Sequence, residues 1–469
     1  VSRERIAILG GGASGTLLAA ELLRRAQRPL EIALVEPRSA LGRGPAYTTS
    51  FAVHVMNVPA ARLSARADDP DHFLAWLRRR DPQATGTTFA PRAQYGRYLQ
   101  EVVTDARVAA RRLVELDHVR DEVTDVRPEA GGGFAVALAA APPLFADRVV
   151  LALGNLPPDA LRRLAPAGGE PERFVCDPWA PGAFDFPSPD GDVLVLGTGL
   201  TAVDVVLGLR HRGHEGRVVA VSRHGFLPRV HAFPAPRPAP AWELPASASL
   251  RETVAEVRRQ LARTGGDFRL VVDGLRGRTQ ALWRALAPAD RARFLRHLQP
   301  FWDVHRHRMA PEVDGGLRAL LATGAVRVLA GRVEALQERC GVVHARVRPR
   351  GAHATTEVAV RHVVDCTGPA PLARTSHPLV RRLLASGLVR TDALGLGLDA
   401  TPDGRLVSLE NRSGDRLFAL GPLLRGALWE TTAMGEIRAQ AAGLAERLLG
   451  LARPPAAAPR ALAEVSGDR

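Results

Sequence analysis

Residues Gly10-Gly11-Gly12-Ala13-Ser14-Gly15 read G-x-G-x-x-G, a spacing suited to holding a pyrophosphate. Gly10 allows a tight turn, Gly12 lets backbone approach the phosphates where a side chain would block them, and Gly15 lets a helix pack close on a strand. The context makes the pattern specific. The apolar run 6–9 precedes it as a strand buried on both faces, and 16–25 follows with Leu18, Leu22 and Leu23 at helical spacing. Glu36 stands 21 residues after Gly15, at the end of a second apolar run, 31–35. The helix N-terminus would face the anion while the Glu36 carboxylate accepts hydrogen bonds from ribose hydroxyls.

A second instance, Gly197-Thr198-Gly199-Leu200-Thr201-Ala202, follows the strand-like run 192–196 and opens a helix to about residue 210. The next strand, 217–221, ends not in an acid but in Ser222-Arg223-His224. Arg223 can pair with a 2'-phosphate, which favours NADPH, although arginine is common enough here for chance to place one. Two dinucleotide sites in one chain is the main reading. It is supported by a repeat: extended segments around Gly131-Gly132-Gly133 end in Ala152-Leu153-Gly154, and those of 326–347 lead to Cys366-Thr367-Gly368.

The elements sit in a chain of 469 residues, 46% hydrophobic and 24% charged, the composition of a globular protein with a sizeable core. Its net charge is +14, and all 63 basic residues are arginine. They are spread rather than clustered, so a solvated basic surface is expected, with no nucleic-acid partner. The missing lysine excludes a Walker-type phosphate loop and a pyridoxal Schiff base. Cys176, Cys340 and Cys366 are too far apart in sequence for a C-x-x-C pair. The glycines at 10–12 break any signal-peptide helix and no long apolar span follows, so the cytoplasm is the expected compartment, without a membrane partner.

The chain resembles the flavoproteins with two dinucleotide-binding domains, in which one Rossmann-like unit holds FAD and a second, inserted in it, holds NAD(P)H. More narrowly, 41–47, Asn57-Val58-Pro59-Ala60, 89–98, 302–311 and Leu428-Trp429-Glu430-Thr431-Thr432 look like the bacterial group that includes a FAD-dependent urate hydroxylase and the L-aspartate N-monooxygenases. The resemblance implies an α/β fold with an FAD-binding domain of residues 1–187 and 369–450 and an NAD(P)-binding domain of 188–368. A helical insertion spans about 250–311, β-meanders close each unit, and a disordered tail covers 451–469. It also implies that Gly10, Gly12, Ser14, Gly15 and Glu36 bind FAD, that Gly197, Gly199, Thr201 and Arg223 hold the nicotinamide cofactor, and that Thr432 lies near the flavin. A helix from about 434 to 449 would aim its positive end there and stabilise reduced flavin.

Flavin takes hydride from NAD(P)H, and without a cysteine pair the electrons go elsewhere than to a disulfide. In a monooxygenase they go to O2 through a C4a-hydroperoxyflavin that must be kept dry beside a small-molecule substrate. In a reductase they pass to another acceptor. The insertion either caps the cavity, as the first case requires, or only thickens the NAD(P) domain. Arg306 and Arg308 are candidates to hold an anionic substrate, and Asn57, before Val58-Pro59, either contacts flavin or substrate or caps its turn. Glu430 either bonds near the flavin or balances an arginine. His305 and His307 lack an acidic or thiol cluster, so no metal is expected. The leading expectation is urate hydroxylation to 5-hydroxyisourate, a step of purine catabolism; N-hydroxylation of L-aspartate or another amino acid is the alternative.

Overall fold

The computed structural model describes residues 3–110, 113–166, 169–186, 190–233, 242, 244–245 and 247–451. The tail expected to be disordered therefore lies outside the described residues, except Leu451. The chain opens with β1 (Glu4–Leu9), α1 (Ala13–Arg25) and β2 (Leu30–Val35), a βαβ unit whose strands pair in parallel. Ile6 to Leu9 are all 0% exposed, as expected of a strand covered on both faces. Helices α2 (His72–Arg78) and α3 (Arg92–Ala109) lead to β3 (Val114–Val119), which extends the sheet beyond β2. A three-stranded antiparallel meander of β4 (Val123–Pro128), β5 (Phe134–Leu138) and β6 (Leu144–Ala146) follows, and β7 (Arg148–Leu151) returns beside β1.

The second unit starts earlier than the proline-rich stretch suggests. After α4 (Ala160–Leu164), the short β8 (Phe174–Val175) already pairs with the second sheet, so the boundary expected at 187–188 moves towards the N-terminus. Proline content marked an irregular crossing, not the change of sheet. Then β9 (Val193–Leu196), α5 (Leu200–His211) and β10 (Val218–Ser222) repeat the first βαβ unit. Five helices form the insertion: α6 (Leu250–Arg263), α7 (Phe268–Arg276), α8 (Thr279–Ala285), α9 (Pro288–His297) and α10 (Gln299–Arg306). The chain returns through α11 (Pro311–Ala322), the long hairpin of β11 (Val326–Arg339) and β12 (Val342–Pro349), β13 (Thr356–Val360) and β14 (His362–Asp365).

After α12 (Pro378–Ala385), β15 (Arg405–Val407) and β16 (Ser413–Ala419) rejoin the first sheet beside β7. The six-stranded sheet runs β15-β16-β7-β1-β2-β3 and the seven-stranded one β13-β12-β11-β10-β9-β14-β8. Finally α13 (Met434–Leu449) packs on α1, burying Met434, Ile437, Ala441, Leu444, Ala445 and Leu448 at helical spacing. This is the α/β fold with two Rossmann-type units that the paired motifs imply. Among the described residues no helix is long and apolar enough to cross a membrane.

Candidate active site

The two glycine loops are built alike. Gly10 has φ +109° and Gly197 φ +108°, and a Cβ there would lie 2.5 Å from the Ala152 carbonyl oxygen or 2.4 Å from that of Cys366. Ala152 and Cys366 follow the return strands β7 and β14, and their N–H groups donate to Leu9 and Leu196 at 2.8 Å. Each loop thus closes against the strand that ends its own meander. A Cβ on Gly15 would lie 1.9 Å from the Gly10 carbonyl oxygen, which accounts for the third glycine.

The middle glycines differ in kind. A Cβ on Gly12 would meet only Gly44, at 3.6 Å, and one on Gly199 nothing within 4 Å. These two are open cradles rather than packing necessities, so the residues fit a phosphate-bearing group at both loops. Glu36, 2% exposed, accepts from the Gly11 N–H at 2.9 Å and from Arg38 Nε at 2.7 Å. Its carboxylate is thereby held at the end of β2. Ser14 is buried at the start of α1, with its hydroxyl packed against Gly421.

A cavity of about 1260 Å³ runs between the units. That exceeds the roughly 300–1,000 Å³ of an ordinary small-molecule site, as a space shared by cofactor and substrate should. Gly197, Gly199, Thr201 and Arg223 line one end, and Tyr47, Asn57, Trp429, Glu430 and Thr432 also line it. Gly10, Gly12, Ser14, Gly15 and Glu36 lie outside its lining. Asn57 lines the cavity, and its carbonyl oxygen accepts from His231 Nε2 at 3.0 Å.

The insertion caps this cavity. Gln299, Asp303 and His307 line it, and their spacing of four places them along one face of α10 and its end. The capping helices hold residues 426–436 rather than only the second unit. Trp283 Nε1 donates to the Gly426 carbonyl at 2.9 Å, Gln280 Nε2 to that of Glu430 at 2.6 Å, and Trp302 Nε1 to Glu430 Oε1 at 3.1 Å.

Arg306 and Arg308 are not the anion site expected of them, and neither lines the cavity. Arg306 Nη2 lies 3.1 Å from Glu430 Oε2 and 3.3 Å from Glu436 Oε1, and Arg308 forks onto both oxygens of Asp273 at 3.1 Å. Both charges are spent within the protein, because the face of α10 that carries Arg306 turns away from the cavity. Glu430 thus balances an arginine, as one of its two expected roles has it, and also lines the cavity.

Asp303 is the acid left facing the open space. It accepts one hydrogen bond, from Gln299 Nε2 at 3.2 Å, and burial pushes its pKa up to about 6 against the pull of Arg425. Burial, reinforced by Arg306, Arg425 and Arg276, pushes His307 down to about 3, so its ring stays neutral. Sequence spacing singles out His307 only as a metal candidate and does not single out Asp303; helical phase separates Gln299, Asp303 and His307 from Arg306.

Residues 7–156 match the FAD-NAD(P)-binding family model. An uncharacterized protein of Mycobacterium tuberculosis is 26% identical over 432 residues, covering 81% of this chain and 76% of its own length. Among solved structures, the L-lysine 6-monooxygenase of Pseudomonas syringae superposes with a TM-score of 0.65 at 18% identity, over 96% of this chain and 99% of that one. The FAD-bound cadaverine monooxygenase of Erwinia amylovora gives 0.63 at 14%, over 96% and 95%. At these identities the likeness is one of fold, and it extends along the whole chain, insertion included.

Across the cavity wall, Arg92 Nη2 pairs with Asp204 Oδ2 at 2.7 Å, both side chains nearly buried. Arg92 Nε donates to the Val55 carbonyl at 3.0 Å, and His54 Nε2 to that of Asp204 at 2.9 Å. The start of α3 is thereby tied to α5, and the mutual placement of the two glycine loops rests partly on this pair.

Proposed function

We propose that the protein is an FAD-dependent, NADPH-consuming monooxygenase that hydroxylates the primary amino group of a small molecule. The observation that carries this reading is a cavity lined by the second glycine loop, by Tyr47, Asn57 and Thr432 of the first unit and by α10 of the insertion, with the Asp303 carboxylate among its lining. The whole-chain fold likeness to lysine and cadaverine monooxygenases supports the amine over urate.

Gly10, Gly12, Ser14, Gly15 and Glu36 would hold the FAD adenosine diphosphate, with Asn57 and Thr432 towards the flavin; Gly197, Gly199 and Thr201 would hold the nicotinamide dinucleotide. Arg223 and Arg332 line that end without an ion-pair partner among the described residues and suit a 2'-phosphate, which supports NADPH. Bound flavin supplies the hydride acceptance and oxygen activation. The chain's own residues do the rest. An ammonium group has no lone pair, so the substrate must lose a proton before nitrogen can take oxygen, and Asp303 is placed to accept it. Helices α8 and α10 exclude water from the reacting space. Amine, O2, NADPH and a proton give hydroxylamine, water and NADP+, one oxygen atom going to each of the first two products.

Turnover under ¹⁸O2 tests the reading. The hydroxylamine product should carry one heavy oxygen atom; NADPH oxidation that yields only labelled peroxide with every amine tried would refute it.

A further inference from the structure

Arg425 is the cation the mechanism above does not use. It follows the short turn 421–424 that leaves β16, and it lines the cavity together with Asp303 and Trp429. Its guanidinium carbon lies 4.9 Å from the centre of the Trp429 ring. Among the described residues its guanidinium has neither a hydrogen-bond nor an ion-pair partner, in contrast to those of Arg92, Arg306 and Arg308. Burial lowers its pKa against the pull of Asp303 and Glu430, which marks a charge held largely out of water with acids near but not touching.

The mounting is rigid. A Cβ on the next residue, Gly426, would lie 2.2 Å from Asp392 Cγ, and the Asp392 carboxylate accepts from the N–H groups of Leu394 at 2.8 Å and Gly397 at 2.6 Å. The Leu423 carbonyl accepts from Leu398 N–H at 2.8 Å. A planar fork fixed on such a turn, backed by an indole face, is suited to two parallel bonds to a carboxylate.

We infer that Arg425 binds a carboxylate of the substrate, so that the amine hydroxylated here belongs to a zwitterionic amino acid, its carboxylate on Arg425 and an amino group towards Asp303. The inference rests on the amine-hydroxylating reading and deepens it. Beyond Arg223 and Arg332, assigned to the 2'-phosphate, an open cation and an open carboxylate in the same cavity match a zwitterion and mismatch a plain diamine, whose second ammonium would meet Arg425. Leaving Arg425 unmatched also costs affinity, because a desolvated guanidinium without a partner is unfavourable.

The test compares amino acids with their decarboxylated counterparts on the FAD-loaded protein: L-lysine with cadaverine and L-ornithine with putrescine. Dissociation constants come from calorimetry and KM from amine-dependent NADPH oxidation. At least one amino acid should bind about tenfold or more tightly than its counterpart. In R425M that preference should collapse while the KM for NADPH stays unchanged, and R425K should restore part of it. The wild-type comparison stands even if R425M fails to fold. Equal affinity within every pair overturns the inference, as does an R425M effect on NADPH instead of the amino acid. Hydroxylation of the diamines without preference would leave the amine reading standing and remove the carboxylate; hydroxylation of no amine would remove both.

Discussion

The glycines of the two loops divide into those the fold needs and those a ligand needs, and substitution separates the two. Gly197→Ala places a Cβ against the Cys366 carbonyl at φ +108°, so a loss of about 1–3 kcal/mol is expected, read as a lower Tm. Gly12→Ala and Gly199→Ala meet no such obstacle. They should stay within about 0.5 kcal/mol of the parent while FAD content falls in the first and the NADPH KM rises in the second. Asp303→Asn should lower kcat/KM for the amine by about 10²-fold. In the parent, activity should fall as the pH drops through about 6, where Asp303 takes up a proton and stops accepting one; the pH profile of the variant should lack that limb. The glycines were legible because their spacing is local. Asp303 was not, since its role depends on which face of α10 turns inward, and Arg425 had no signal among 63 arginines.

Among the elements, the insertion matters through its attachment. Arg306, 9% exposed in its side chain, sits between Glu430 and Glu436 and joins α10 to the start of α13. Arg306→Ala would leave the buried Glu430 carboxylate without its ion-pair partner, while Glu436 keeps Arg276, at a cost of about 3–5 kcal/mol for an uncompensated buried charge. Faster proteolysis between α6 and α10 and more peroxide per NADPH should accompany it, because a loosened cap admits water; a variant as stable and as coupled as the parent would show that the cap is held otherwise. The resemblance placed α13, and the strands and the helical nature of the insertion could be read from periodicity. Its docking onto residues 426–436 could not, since it joins segments more than a hundred residues apart through single tryptophan and arginine contacts.

At the scale of the molecule, two copies of one βαβ-and-meander design face each other across the cavity, held by the Arg92–Asp204 pair on one side and the insertion on the other. The repeat was visible in the sequence because each copy carries its own glycine signature, whereas the two-residue strand β8, which pairs with β14, is too short to show a pattern. On the proposed function, this arrangement would bring an electron donor, an oxygen-activating cofactor and the amine together in one cavity. The most direct measurement is the stoichiometry of NADPH oxidised to hydroxylamine and peroxide formed, in air, with L-lysine, L-ornithine, L-aspartate, cadaverine or urate added in turn to the FAD-loaded protein. The account predicts that an amine accelerates NADPH oxidation and returns close to one hydroxylamine per NADPH with little peroxide. Acceleration by urate alone, or the same peroxide yield whatever is added, would contradict it.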